Sequence, residues 1–212
     1  MKKKLLLIGG GGHCNSVADC VLALNEYDEV AIIDTVESTY PGLSVIGTDD
    51  DIPFLFGDGW TDAFVTVGSV GDTKIRRRLF KMVKNIGMTV PAIIDPSAVI
   101  GNNVKIGEGV FVGKGAVVNT GSVIGECAII NTGAIIEHDC TVGAFSHISP
   151  GAVLLGQVSV GSDSHVGASA CVRQLVKIGD HAMVGMGSVV VKDVPDGVKA
   201  FGNPCKVVMS LT

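Results

Sequence analysis

From Ile94 onward the chain carries an aliphatic residue at every sixth position, without a slip, as far as Val190. Four residues after most of these positions the side chain is small, as at Ala116 and Ala134. One large and one small inward side chain in every six residues predicts a flat face of a parallel β-helix, and three faces complete a coil of about 18 residues. The seventeen consecutive repeats therefore predict about five and a half coils over residues 94–193.

Residues 1–92 follow a different pattern, in which short apolar runs alternate with amphipathic stretches. Strands are predicted over 4–8, 30–34, 64–67 and 88–94, and helices over about 14–25 and 72–86. Strands that alternate with helices predict a small parallel sheet of the Rossmann type. The sequence thus predicts a Rossmann-like α/β domain over 1–92 and an all-β domain, a β-helix with a C-terminal closure, over 93–212.

The first predicted strand ends in a glycine run, 9–12, just before His13. Bare backbone N–H groups at the start of the following helix can bind a phosphate, and Asp34 ends the second strand, where such folds meet a ribose or a base. The dinucleotide pattern GxGxxG is incomplete, because Cys14 stands at its third glycine position. The run predicts a half-size sheet that binds a nucleotide-linked ligand, with a glycine turn that only permits tight packing as the alternative.

Composition narrows the class of protein. Hydrophobic residues make up 47% of the chain and aromatic residues only 5%, so aliphatic side chains must fill the core. A net charge of −5 argues against a nucleic-acid-binding surface, and the arginines at 76–78 are expected on a solvated helix face. No apolar run approaches a secretory signal or a membrane span. Six cysteines without a CxxC pair predict reduced thiols and a cytoplasmic protein.

His138 and Asp139 occupy the third and fourth positions of one repeat, where side chains face outward. A histidine can take a proton from an attacking amine or hydroxyl at neutral pH. A neighbouring carboxylate can fix the tautomer of the ring and stabilise the imidazolium as it forms. The pair is therefore the candidate catalytic centre, with an ordinary surface histidine as the alternative.

The repeat, an aliphatic residue followed by glycine and then by a small residue three positions later, resembles the hexapeptide-repeat acyltransferases, whose β-helix is left-handed. With the glycine-rich sheet in front, the chain resembles the sugar O-acyltransferases of the NeuD type. Within these it is most similar to the bacterial nucleotide-amino-sugar N-acetyltransferases typified by PglD. The stretch over 131–152 follows the active-site sequence of that family, the ending over 201–206 resembles its closure, and the likeness covers essentially all 212 residues.

The resemblance implies an acetyltransferase that uses acetyl-CoA as co-substrate and needs no metal. Its acceptor would be the amino group of a nucleotide-linked 4-amino-4,6-dideoxy sugar, and the rival acceptor is a hydroxyl of sialic acid or another sugar. In this interpretation His138 is the general base, Asp139 supports it, and the backbone N–H of Gly156 is a candidate oxyanion donor.

The resemblance also implies supporting and binding residues. Asn131 and Glu137 are expected to support the centre. The expected acetyl-CoA contacts are His147, Ala168 and Met186. The nucleotide-sugar is expected to bind at Gly11, Gly12, His13, Asp34, Thr35 and Gly68.

The spacing of two histidines predicts an oligomer. His138 and His147 are nine residues apart, which is half of an 18-residue coil. In one chain they therefore lie on different sides of the prism and can share a site only across a subunit boundary. A homotrimer with three intersubunit clefts follows, closed by rotational symmetry.

Two other classes of protein use the same helix. A γ-type carbonic anhydrase binds zinc through three histidines around each intersubunit site. His147 and His165 are 18 residues apart and stack on one ladder, but the spacing of that family and a third outward histidine are missing. A non-enzymatic β-helix scaffold is the other alternative, because fold does not imply function.

Overall fold

The computed structural model describes residues 2–38 and 40–211 and begins with a four-stranded parallel sheet. Its strands are β1 (Lys4–Ile8), β2 (Glu29–Ile33), β3 (Val45–Gly47) and β4 (Asp62–Val65), in the order β3-β2-β1-β4. The helices of this unit are α1 (Gly12–Leu24), α2 (Ile52–Gly57) and α3 (Lys74–Ile86), with a 3₁₀ turn at Asp49–Asp51.

Both faces of this sheet are covered, as its apolar strands require. Leu5 and Leu7 pack into one cluster with Val17 of α1. Leu6 and Ile8 point to the other face, where α3 packs on them. Alternate side chains of β1 thus belong to two separate cores.

The sequence predicted this unit in outline, but one predicted element is wrong and two elements were missed. The strand expected over 88–94 is wrong as a continuous element: Thr89 makes an isolated bridge to Asp62, and only Ile93–Ile94 is a strand. Pro91 explains the break, because it has no N–H to donate to a ladder. Strand β3 and helix α2 were not predicted, since both are shorter than the periods that reveal strands and helices.

Seventeen two-residue strands follow, one at each predicted aliphatic position. They stack in register into three parallel sheets, so that each residue pairs with the residue 18 positions later, as Ile136 does with Leu154. The five-stranded face contains β7 (Lys105–Ile106), β10 (Val123–Ile124), β13 (Thr141–Val142), β16 (Ser159–Val160) and β19 (Lys177–Ile178). The six-stranded face contains β6 (Val99–Ile100), β9 (Val117–Val118), β12 (Ile135–Ile136), β15 (Val153–Leu154), β18 (Cys171–Val172) and β21 (Val189–Val190).

The eight-stranded face completes the prism and closes its end. It contains β5 (Ile93–Ile94), β8 (Phe111–Val112), β11 (Ile129–Ile130), β14 (His147–Ile148), β17 (His165–Val166), β20 (Met183–Val184) and the hairpin of β22 (Val198–Gly202) and β23 (Cys205–Ser210). The aliphatic and small positions of the repeat form one continuous core inside the prism. The predicted fold class, a small parallel sheet followed by a left-handed parallel β-helix, is confirmed.

The N-terminal unit rests on the eight-stranded face through α3. Arg76 is only 4% exposed and donates hydrogen bonds to the carbonyl oxygens of Phe145, at 3.0 Å, and Cys127. Its burial lowers the pKa of the guanidinium to about 10. Arg77 forms an ion pair with Asp163, with 2.6 Å between Nη2 and Oδ2.

The expectation of a solvated helix face over 76–78 is therefore wrong for Arg76, while Arg77 is exposed as expected (43%) but also pairs with the buried Asp163. The turns of the β-helix present carbonyl oxygens and a carboxylate to α3, and the planar fork of a guanidinium can satisfy several such acceptors at once. Arg78 matches the expectation fully, because its side chain is 65% exposed beside Asp49.

Candidate active site

The paired residues His138 and Asp139 lie at the corner that follows β12. Nδ1 of His138 is 2.9 Å from Oδ2 of Asp139, and about half of each side chain is exposed. A carboxylate only accepts hydrogen bonds, so Nδ1 carries the proton and Nε2 keeps a free lone pair. Asp139 adopts the left-handed conformation (φ 58°), which a short polar side chain tolerates well. The corner thus presents a histidine with a fixed tautomer to solvent.

The corners of neighbouring coils form an open cleft of about 440 Å³ around this pair. It is lined by Glu137, His138, Leu155, Gly156, Gln157, Gln174 and Leu175. Gly156 lies close to the ring: a Cβ built on it would lie 2.5 Å from Nε2 of His138. Alanine occupies the same position of the repeat at Ala144 and Ala168, so the backbone does not demand glycine there. The imidazole does.

The backbone N–H of Gly156 belongs to a residue that lines the same cleft. Among residues 2–38 and 40–211 it has no hydrogen-bond acceptor, although the neighbouring Gln157 N–H donates to the carbonyl of His138 at 2.9 Å. Glu137 supports the corner from the other side: its Oε2 accepts from Nδ2 of Asn119 at 3.1 Å and from the His138 N–H at 3.3 Å. The cleft therefore combines an acceptor nitrogen with an unused backbone donor.

His147 lies elsewhere, on the eight-stranded face beneath the N-terminal unit. Its Nδ1 donates to the carbonyl oxygen of Ser69 at 3.0 Å, and its Nε2 accepts from Nδ2 of Asn131 at 3.1 Å. The ring also packs edge-on against His165, with centroids 5.0 Å apart. Burial lowers the pKa of His147 to about 4. Its ring is therefore neutral at pH 7, with both nitrogens engaged.

A second cavity, of about 310 Å³, opens beside His147 between the two parts of the chain. It joins Asn131 to His13 and Gly68, which were expected to contact the nucleotide-sugar. Nε2 of His13 is buried without a hydrogen-bond partner in the described part of the chain. Burial, together with the nearby positive charge of Arg76, lowers the pKa of His13 to about 4. The cavity thus offers neutral imidazoles and an amide.

A third cavity, of about 710 Å³, lies at the carboxyl ends of β1 and β2. Asp34 and Thr35 line it, which is the edge where ligands of open α/β sheets bind. The Asp34 carboxylate accepts from the N–H groups of Gly10, at 2.5 Å, and of Thr35, at 2.6 Å. These hydrogen bonds lower the pKa of Asp34, and the bond from Gly10 has the largest effect. Gly11 and Gly12 stand exposed at the start of α1.

The predicted acetyl-CoA contacts group with His147 and not with His138. Strands β17 and β20 lead from the face of His147 to the corner that carries Ala168 and Met186. These two residues lie in adjacent coils, linked by a hydrogen bond from the Gly187 N–H to the Ala168 carbonyl at 2.8 Å. The side chain of Met186 is largely exposed. One chain therefore carries the two sets on different edges of the prism.

Sequence reasoning missed several residues that shape these sites. Gln157, Gln174 and Leu175 line the cleft of His138, and the 18-residue period was a signal that could have found them, since each lies one or two coils beyond His138 or Asp139. Ser69 and Arg76 carried no such signal. Their contacts depend on how α3 and the preceding loop rest on the β-helix.

Neither a membrane span nor a metal-binding cluster is found within residues 2–38 and 40–211. None of their helices is long and apolar enough to cross a bilayer. Nor do three His, Cys, Asp or Glu side chains among them group closely enough to hold a metal ion.

The chain matches two family models. That of the PglD N-terminal domain matches residues 4–83, and that of the hexapeptide repeat of succinyl-transferase matches residues 157–192. No curated protein matches the chain.

Several solved structures match over nearly their whole length. The acetyltransferase domain of PglB from Neisseria gonorrhoeae is 38% identical, with a TM-score of 0.92 over 97% of this chain and 100% of that one. Its complex with acetyl coenzyme A matches with 37% identity and a TM-score of 0.90, over 98% and 100% of the two chains. PerB from Caulobacter crescentus, in complex with CoA and GDP-perosamine, is 39% identical, with a TM-score of 0.91 over 97% of each chain.

A β-helix of hexapeptide repeats with these matches defines the class, and the chain is an acyltransferase of that class. Its N-terminal unit narrows the assignment further. The chain belongs to the PglD-type family of sugar acetyltransferases, in which a PglD N-terminal domain precedes the β-helix.

Proposed function

We propose that the chain is an acetyl-CoA-dependent N-acetyltransferase that acts on the amino group of a nucleotide-linked 4-amino-4,6-dideoxy sugar. The observation that carries this proposal is the His138–Asp139 pair, whose free Nε2 faces an open cleft beside an unused backbone N–H. PerB, similar along nearly the whole chain, was solved with CoA and GDP-perosamine, which supports an amino-sugar nucleotide as acceptor.

The geometry supports direct transfer with His138 as the base. Acetyl-CoA supplies an acetyl thioester. As the new nitrogen–carbon bond forms and the carbon–sulfur bond breaks, Nε2 of His138 accepts the proton that the amine loses and returns it to the departing thiolate. Asp139 holds Nδ1–H and stabilises the imidazolium in between. The Gly156 N–H is suited to donate to the carbonyl oxygen as negative charge develops there.

His147 is unsuited to be the base, which sharpens the assignment. A low pKa of about 4 makes it a poor proton acceptor at pH 7, and its Nε2 already accepts a hydrogen bond from Asn131. We assign it, with Ala168 and Met186, to the binding of acetyl-CoA. Asn131 and Glu137 then act by holding His147 and the His138 corner in place.

We place the nucleotide-sugar on the N-terminal unit, at Gly11, Gly12, His13, Asp34, Thr35 and Gly68. Two observations support this placement. The cavity at Asp34 and Thr35 lies at the carboxyl edge of the sheet. The buried Nε2 of His13 has no hydrogen-bond partner in the described part of the chain, and a polar ligand could supply one. The sugar would then extend toward the cavity of His13 and Gly68.

The proposed active site needs more than one subunit. The cleft of His138 and the cavity of His147 lie on different sides of one prism and share no lining residue. Three copies around a threefold axis bring the His138 edge of one chain against the His147 face of the next. We therefore propose a homotrimer with three intersubunit active sites.

The function is tested by thiol release from acetyl-CoA in the presence of possible acceptors. UDP-, dTDP- and GDP-linked 4-amino sugars form one set, and sialic acid and the corresponding 4-hydroxy nucleotide sugars form the other. Turnover of one amino sugar, with an acid-stable and base-stable amide as product, is expected. Turnover of sialic acid alone, with an ester as product, would overturn the choice of acceptor.

A further inference from the structure

One backbone conformation recurs along the corners of the β-helix. From position 103 to position 187, each sixth residue has a positive φ, which makes fifteen such corners. Nine of these residues are not glycine, and they include Phe145, Gln157 and Leu175. The conformation costs a side chain roughly 1–2 kcal/mol, which this fold evidently tolerates. Glycine at any one of the corners is therefore not forced by the backbone alone.

Gly121 is one of these corners, and it lies one coil before Asp139. The Asp139 N–H donates to the carbonyl of the preceding residue, Thr120, at 3.0 Å, which holds the two corners in register. A Cβ built on Gly121 would overlap Oδ1 of Asp139 and lie 3.5 Å from its Cγ. The carboxylate thus occupies the space that a side chain at 121 would take.

The position of that carboxylate matters for the base. While Oδ1 rests over Gly121, the other oxygen, Oδ2, lies 2.9 Å from Nδ1 of His138. Rotation of the carboxylate away from position 121 moves Oδ2 as well, because both oxygens are fixed to the same carbon. The two glycines thus flank the pair: Gly156 leaves room for the imidazole, and Gly121 leaves room for the carboxylate.

We infer that Gly121 is a positioning residue for the acetyl transfer: its missing side chain lets Asp139 bind Nδ1 of His138 and fix the tautomer that leaves Nε2 free. The inference rests on the proposed function of His138. Under this inference Gly121 contacts neither substrate, and its role is to leave Asp139 in the right place.

The test compares Gly121→Ala with Gly115→Ala. Both glycines are exposed corner residues with similar positive φ, +73° and +62°, but a Cβ on Gly115 would meet nothing within 4 Å. Both variants therefore carry the same backbone strain, and only Gly121→Ala disturbs the carboxylate. We expect kcat for thiol release to fall about 10- to 100-fold in Gly121→Ala, with KM for both substrates unchanged, and to stay at the wild-type value in Gly115→Ala.

A double-mutant cycle separates positioning from general damage. If Gly121 acts through Asp139, Gly121→Ala causes no further loss of kcat in an Asp139→Asn background. Asparagine suits this test because it tolerates the left-handed conformation of position 139. Equal kcat values for Gly121→Ala and Gly115→Ala, or fully additive losses in the double variant, would overturn the inference.

A spectroscopic measurement keeps the inference distinct from the proposed function. The ¹⁵N shifts of the His138 ring report its tautomer without any turnover, with Nδ1–H expected in the wild type and a tautomer mixture in Gly121→Ala. If His138→Asn acetylates at the wild-type rate, the proposed function fails, while the tautomer still tests the placement of Asp139. An unchanged tautomer in Gly121→Ala would refute the positioning role alone.

Discussion

Replacing Gly156 by alanine adds one methyl group at the point where the next coil meets the imidazole of His138. The new Cβ would lie 2.5 Å from Nε2 and 2.8 Å from Cε1 of that ring. A normal contact between such atoms is about 3.5 Å, so the ring must move by about 1 Å. A displacement of that size in a catalytic group costs about 100-fold in rate.

The same substitution should leave the fold nearly intact. Gly156 is not among the residues with positive φ, and alanine already occupies the equivalent position of the repeat at Ala144 and Ala168. We therefore expect kcat for thiol release to fall about 100-fold while the melting temperature stays close to that of the wild type. Ser162→Ala, at the equivalent position of the next corner, tests whether alanine at this position of the repeat is neutral for both measurements.

Wild-type kcat in Gly156→Ala would refute this reasoning. It would mean that Nε2 of His138 either does not react or has room to shift without consequence. A large drop in melting temperature would also count against it, since the glycine would then be required by the fold and not by the imidazole.

Two further predictions concern stability. Arg77→Ala removes the arginine partner of the Asp163 carboxylate, whose side chain is 6% exposed, and leaves it with Thr73 and His181. This substitution should lower the free energy of unfolding in urea by about 2–3 kcal/mol. Arg78→Ala, which breaks a solvated pair, should cost less than about 1 kcal/mol. His13 and His147 have a folded-state pKa of about 4, against 6.5 unfolded, so the unfolded chain binds more protons between these values. The contribution of each histidine to the unfolding free energy should therefore be constant above about pH 6.5 and fall toward pH 4, by up to about 3 kcal/mol. Urea titrations at pH 7.5 and pH 5 measure this fall in unfolding free energy. If His147→Gln loses as much stability between the two pH values as the wild type does, the contribution assigned to His147 is contradicted.

The β-helix could be predicted closely because its six-residue period is also its structural unit. Each aliphatic position from Ile94 to Val190 is the inward residue of a strand. The stacking of the coils buries that side chain in the interior of the prism. Arg76 shows the opposite case. Nothing in its local sequence separates a solvated arginine from one that binds the carbonyl oxygens of Cys127 and Phe145, some 50 and 70 residues later.

The candidate site was predictable to a different degree for each residue. The outward position of His138 and its separation from His147 followed from counting residues along the coil. The contact of His147 with Ser69, and hence its low pKa, depends on how the N-terminal unit covers the eight-stranded face. The space that Gly121 and Gly156 leave for the carboxylate and the imidazole could be found only from atomic distances, because the sequence shows that a glycine has no side chain but not what lies beside it.

The most direct test of the account compares initial rates of amide formation for the wild type, His138→Asn and His181→Asn, with acetyl-CoA and the best nucleotide-linked amino sugar. His181 is the matched control, since it is an exposed corner histidine whose positive φ of 53° asparagine tolerates. We predict a loss of about 100-fold or more in His138→Asn and the wild-type rate in His181→Asn. Equal rates for the wild type and His138→Asn would contradict the central claim that His138 is the base.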